Sequence, residues 1–275
     1  MSTREIEAAA AGYRATFDTA VAALQSRMWQ GAQHLGLFES DDEPLPRAQM
    51  RANRAMAAAA RLRPGQVVVE AACGFGDTAR YLAREYGVRV RATNLAEMQI
   101  VEARALTEAA GLADRVDFGF ADFHALPFED AAFDVWWCQE ALLYAVDKRR
   151  VLGEAMRVVK PGGLLIMSDL LLAARVTGAA RERFTATMKA PDMWPLERWD
   201  ALLATLPLEV VERRDWSAHT RPTFERVLAN LRAAEAEFLP RLGGEAMAGS
   251  FERIEIQVAA ARSGDLGWCF YALRR

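Results

Sequence analysis

Paired cysteines are missing from this chain. Its three, Cys73, Cys138 and Cys269, are odd in number, widely spaced and form no C-x-x-C pair, so neither a disulfide framework nor a zinc site is expected. They read as small buried hydrophobes in a reducing compartment, and no bound metal is expected. Excess positive charge is missing too. With 34 Lys and Arg against 37 Asp and Glu, the formal charge is −3, which offers no footprint for nucleic acid and no polybasic membrane patch. No apolar run approaches the roughly 18 residues of a membrane span. The N-terminal stretch MSTREIEAAAAGYR places charges where a signal peptide needs an apolar region, so the expectation is a cytoplasmic protein. Repeats and low-complexity segments are also absent. What is there is an ordinary globular composition, 52% hydrophobic and 26% charged, in a length that suits one α/β domain with insertions.

The chain is organised around Gln66 to Ala83, QVVVEAACGFGDTARYLA. Val67 to Val69 form an apolar run without alternation, the mark of a strand buried on both faces. The run stops at a turn in which Gly74 and Gly76 flank Phe75, and from Asp77 the apolar residues take helical spacing. Strand, glycine loop and helix in this order bring backbone N–H groups and a helix N-terminus to a ligand. Gly74-Phe-Gly76-x-x-Ala79 also fits the dinucleotide fingerprint. Glu70, at the end of the strand, argues against NAD, since a carboxylate repels a pyrophosphate and attracts an ammonium group.

Along the chain, strands are predicted over Val67–Ala71, Val88–Thr93, Val116–Phe120, Phe133–Cys138, Gly163–Ser168, Leu208–Val211 and Leu266–Leu273. Helices are predicted over Arg47–Leu62, Ala96–Ala110 with Met98, Val101 and Leu106 facing inward, Val151–Val159, Pro195–Ala204, Thr223–Phe238 and Glu245–Arg262. Ile6, Tyr13, Phe17, Val21, Leu24 and Met28 add one or two amphipathic helices between residues 4 and 39. The alternation of strands and helices up to Asp169 implies an α/β fold with a parallel, doubly wound sheet and ligands at the carboxyl ends of its strands.

Glu70-Ala-Ala-Cys73-Gly74-Phe-Gly76 resembles the first motif of the class I S-adenosylmethionine-dependent methyltransferases, acidic-x-G-C-G-x-G, with Ala72 at its first glycine. Three further segments resemble the same family in the same order: Asn94-Leu95-Ala-Glu-Met-Gln99, then Asp122-Phe123-His124-Ala-Leu-Pro127-Phe128 followed by Phe133-Asp134, then Arg157-Val-Val-Lys160-Pro161-Gly162-Gly163. The resemblance implies a Rossmann-like sheet of seven strands with the last antiparallel, under a helical lid. It divides the chain into an N-terminal lid (1–46), a cofactor-binding core (47–170) and a region (171–275) of helical cap insertions with the last two strands. It also implies S-adenosylmethionine as cofactor and S-adenosylhomocysteine as product. The implied contacts are Glu70, Ala72, Gly74 and Gly76 around the methionine end, Asn94, Leu95 and Gln99 at the ribose, Asp122 and Phe123 at the adenine, and Gln139, Tyr144, Tyr13, Trp29 and His34 closing over it.

Trp29-x-Gly31-x-x-His34-x-Gly36 and Asp215-Trp-Ser-Ala-His219-Thr-Arg-Pro222 are similar to the small-molecule branch that includes sarcosine and dimethylglycine N-methyltransferases and natural-product O-methyltransferases. The implied reaction is methyl transfer to oxygen or nitrogen of a small, fairly apolar metabolite in a biosynthetic pathway. C-methylation of a prenyl diphosphate and a non-methylating pericyclic reaction are the alternatives. Where relatives carry a His after the fourth strand, this chain has Tyr144. That brings forward Glu140 and Asp169, expected at strand tips, as bases, beside Tyr144 and His219. Trp29, Trp194, Trp199 and Trp216 could form an apolar acceptor pocket or pack helices. No nucleic-acid or membrane partner is expected, and a homodimer is left open.

Overall fold

A computed structural model of the chain describes residues 19–275. Tyr13, with Ile6 and Phe17 of the predicted N-terminal helices, lies outside the described residues. The centre is a seven-stranded sheet in the order β3-β2-β1-β4-β5-β7-β6. Its strands are β1 (Val67–Ala71), β2 (Arg89–Asn94), β3 (Val116–Phe120), β4 (Phe133–Gln139), β5 (Val159–Leu172), β6 (Glu209–Asp215) and β7 (Leu266–Arg274). The first five run parallel, and β7 runs antiparallel between β5 and β6, as expected.

The period of two along each strand separates two cores. Val68, Val135, Trp137, Ile166 and Phe270 face one side, and Val69, Trp136, Leu165, Met167 and Tyr271 the other. Helices α2 (Leu45–Ala60), α3 (Asp77–Tyr86) and α4 (Glu97–Ala109) cover the first side. Helices α5 (Lys148–Val158) and α7 (Leu196–Leu203) cover the second. The order reverses between β1 and β4, the switch point at which open α/β sheets leave a crevice.

Four further helices complete the described chain: α1 (Thr19–Trp29), α6 (Gly178–Met188), α8 (Thr220–Leu242) and α9 (Gly244–Ser263). α1 lies on α8, where Trp29 meets Phe224 edge to face and Asn230 donates to the carbonyl of Met28. The connection from α1 to α2 is held by Gln49, whose Nε2 donates to the carbonyls of Ala32 and His34.

Two expectations need correction. Met98, Val101 and Leu106 of α4 face solvent, and the buried face is Gln99, Ile100, Ala103 and Thr107. The helix is turned this way because Gln99 accepts from Asn94 and Arg80 reaches Thr107, so polar pairing outweighs apolar periodicity. The fifth strand does not stop at Ser168. Its antiparallel partner β7 carries the pairing on to Leu172, which leaves Asp169 inside the strand opposite Cys269.

Candidate functional site

A cavity of about 720 Å³ opens at the carboxyl ends of β1, β2 and β4 and extends beneath α1, α6, α8 and α9. Its floor is the glycine loop. Ala72, Gly74 and Gly76 all take left-handed backbone angles, with φ of 59°, 55° and 75°. Gly76 needs its missing side chain, since a Cβ would stand 2.6 Å from the Phe118 ring; a Cβ on Gly74 would meet nothing within 4 Å and would enter open space. Ala72 shows why the motif favours glycine there: an L-residue in this region carries roughly 1–2 kcal/mol of strain. Glu70 lies in the wall with Oε2 unpartnered among the described residues. Burial first, then the charge of Asp77, pushes its carboxyl up to about 8 against the pull of Arg80.

At the tip of β2, Asn94 donates to Gln99 (2.7 Å) and to the Gly74 carbonyl (3.4 Å), and its Oδ1 accepts from the Leu95 backbone. Gln99 is fully buried and is not part of the cavity wall, so it acts on the site through Asn94. After β3, Asp122 receives both the backbone N–H and the Nδ1 of His124 through one oxygen, Oδ1. Burial raises this carboxyl, and the His124 bonds outweigh burial and hold it below its ordinary value. Phe123 and Leu95 complete this end.

At the tip of β4, Gln139 accepts from Thr78 and Trp137 and donates to Asn53, so the amide is locked across three elements. The next residue, Glu140, takes a left-handed φ of 45° and buries its carboxylate. It accepts from Ser168 on β5, Trp268 on β7 and the backbone N–H of Leu35. Burial pushes Glu140 up, while the neighbouring His34 and these donors draw it back. The Nδ1 of His34 faces the carbonyl of Leu35, which can only accept, so the ring proton sits on Nδ1. Its Nε2 lone pair then lies in the wall without a partner among the described residues. Tyr144 closes a 3₁₀ turn over Leu142–Tyr144 and also lines the cavity.

Three groups expected at the reacting centre lie elsewhere. Asp169 is fully buried outside the cavity wall; Oδ1 accepts from the backbone of Leu143, and burial pushes its carboxyl up while Lys148 draws it down. It therefore braces the turn that carries Tyr144. His219 accepts through Nδ1 from the backbone of Phe38, pinning the α1–α2 connection to α8. Of the four candidate pocket tryptophans only Trp29 reaches the cavity. Trp194 and Trp199 pack against each other, and Trp216 stacks on Phe270 beside Trp268. The helical residues Arg253 and Gln257 of α9 line the cavity and escaped notice, because a polar residue on a long helix reads as solvent-facing.

Residues 69–167 match the family model described as a methyltransferase domain. The chain is 33% identical to the methyltransferase GfsG of Streptomyces halstedii, over 82% of each chain. It belongs to the S-adenosylmethionine-dependent methyltransferases. The methyltransferase is also 30% identical to a glycine/sarcosine/dimethylglycine N-methyltransferase of Actinopolyspora halophila, over 88% of this chain. It spans 43% of that relative's length. Among solved structures it is similar to the [4+2]-cyclase SpnF, with a TM-score of 0.83 and 25% identity over 93% of each chain. Its relatives include small-molecule N- and O-methyltransferases.

The cavity suits this methyltransferase's cofactor. S-Adenosylmethionine carries an ammonium and a sulfonium, and the cavity's sheet end is lined by four carboxyl groups, those of Glu70, Asp77, Asp122 and Glu140. The unpartnered Oε2 of Glu70 has the polarity to receive an ammonium, and the open space over Gly74 admits a ligand to the backbone. No cluster of metal-ligating side chains occurs among the described residues, and no helix there is long and apolar enough to cross a membrane.

Proposed function

We propose that the methyltransferase methylates a small, largely apolar metabolite at oxygen or nitrogen, with the cofactor at the strand tips and the acceptor under α6, α8 and α9. One observation carries this reading. The cavity is continuous, and its wall changes from carboxylates and the glycine loop at the sheet to Leu170, Met188, Phe224 and Ile254 at the helices. Relatives that act on nitrogen and on oxygen support both acceptor atoms.

In this reading Glu70 holds the ammonium of the cofactor, Asn94 offers a lone pair of Oδ1 to the ribose, and the second oxygen of Asp122 takes the adenine amino group. Bound there, the cofactor supplies an electrophilic methyl group for in-line displacement. The chain's part is to orient the acceptor and exclude water, which the segment from α1 to α2 and helices α6, α8 and α9 do as a lid. A hydroxyl acceptor must also lose a proton. His34 takes it at Nε2, and Tyr144 orients the acceptor. An amine acceptor that is already neutral needs no base.

The test is to incubate the protein with S-adenosylmethionine and a panel of hydroxylated and amine metabolites, and to read products by mass. A gain of one methyl group with equimolar S-adenosylhomocysteine is expected. Tight cofactor binding with no methylated product in either class would instead favour a non-methylating role like that of the cyclase it resembles.

A further inference from the structure

Charge is segregated along the cavity wall. Glu70, Asp122 and Glu140 belong to the strand ends and loops of the sheet and Asp77 to the start of α3, whereas Lys189 and Arg253 come from the end of α6 and from α9. Arg253 is half-buried, and among the described residues it has neither an ion pair nor a hydrogen bond. The carboxylates beside it in sequence are engaged elsewhere, Glu252 with Arg183 and Glu255 with Arg232.

Four residues on, and so on the same face of α9, Gln257 enters the wall. It is 5% exposed; Nε2 donates to the sulfur of Met188 and Oε1 has no partner among the described residues. A guanidinium with no counter-ion among the described residues, in a wall shared with Phe224, Ile254 and Leu170 and one turn from an unsatisfied buried carbonyl, is a costly arrangement for a wall whose only task is to enclose an apolar body. A ligand that brings an anion and a hydrogen-bond donor satisfies both groups.

We infer that the acceptor is an apolar molecule bearing an anionic group, a carboxylate or a phosphate, which seats on Arg253 while an adjacent donor meets Oε1 of Gln257. This rests on the proposed use of the cavity for a methyl acceptor, and it narrows the acceptor class from apolar metabolites to apolar anions. The sheet end then takes the cationic half of the reaction and the helix end the anionic half.

The experiment compares 2-naphthoate, 2-naphthyl phosphate and the neutral 2-naphthamide by calorimetry, on the protein alone and loaded with S-adenosylhomocysteine. At least one anion is expected to bind about 10- to 100-fold more tightly than the amide, as a charge-assisted contact does. The order of the two anions separates a carboxylate site from a phosphate site. Arg253→Gln is expected to abolish the preference and leave amide binding unchanged, and Arg253→Lys to keep part of it. Circular dichroism and S-adenosylhomocysteine affinity check that each variant is folded. Equal binding of acid and amide, a preference that survives Arg253→Gln, or no binding of any of the three would overturn the inference. Failure of S-adenosylhomocysteine to bind would instead count against the proposed function, and the titrations on the protein alone would still decide the question of charge.

Discussion

The indole N–H of Trp268 donates to Oε1 of Glu140 across 2.8 Å, joining the last strand of the chain to the residue that follows β4. Because the same carboxylate also receives Ser168 and the backbone of Leu35, it couples the α1–α2 connection to the tip of β4 and the interior of β5. Glu140→Ala leaves these buried donors unpaired, and stability is expected to fall by about 3 kcal/mol. Trp268→Phe removes one donor and is expected to cost about 1 kcal/mol. Denaturant unfolding checks both, and a loss below about 0.5 kcal/mol for Glu140→Ala would show that the strut is dispensable.

The two glycines of the loop are expected to respond differently to alanine. Gly76→Ala drives a methyl group into the Phe118 ring and is expected to destabilise the fold by about 2 kcal/mol or more. Gly74→Ala adds only left-handed strain, about 1 kcal/mol, but fills space the cofactor uses. Its main effect is expected on cofactor affinity. Measuring unfolding and binding for both variants separates packing from ligand contact, and equal loss of affinity at equal stability would contradict the assignment.

A carboxyl raised by folding favours the native state in its protonated form. Glu70 therefore contributes stability that is full below its ordinary value of 4.5 and is lost as pH rises toward about 8. An ammonium placed beside Glu70 favours the carboxylate and releases the proton. Cofactor titration at pH 7 is expected to release on the order of one proton, seen as heats that differ between phosphate and Tris buffers. In Glu70→Gln the difference is expected to vanish; identical heats for the wild type in both buffers would place the ammonium elsewhere.

Asp122→Ala is expected to weaken cofactor binding by about 1–3 kcal/mol, the cost of leaving a buried partner unpaired. Gln99→Ala, outside the cavity, is expected to weaken it by less, through a loosened Asn94. Wild-type affinity in Asp122→Ala would show that the adenine lies somewhere else.

Much of this architecture was legible in the sequence, and the parts that were not share a cause. The run Val67–Val69 and the flanking glycines mark β1 and its turn because only a doubly buried strand and left-handed backbone require them. Asp169 misleads, because a charge after an apolar run looks like a strand end, whereas β7 continues the pairing and Lys148 offsets the buried charge. Met98, Val101 and Leu106 mislead because periodicity does not reveal that Gln99 turns inward to meet Asn94. The functional face of α9 stays hidden for the same reason: Arg253 and Gln257 gain meaning only when α9 is folded over the sheet.

The most direct test of the account is a calorimetric titration of the intact protein with S-adenosylmethionine, S-adenosylhomocysteine and NAD. Saturable binding of the two sulfur cofactors, weakened by Gly74→Ala and Asp122→Ala, with no heat from NAD, is the expected result. Binding of NAD, or sulfur-cofactor affinity that neither substitution changes, would contradict the placement of the cofactor at the tips of β1, β2 and β4.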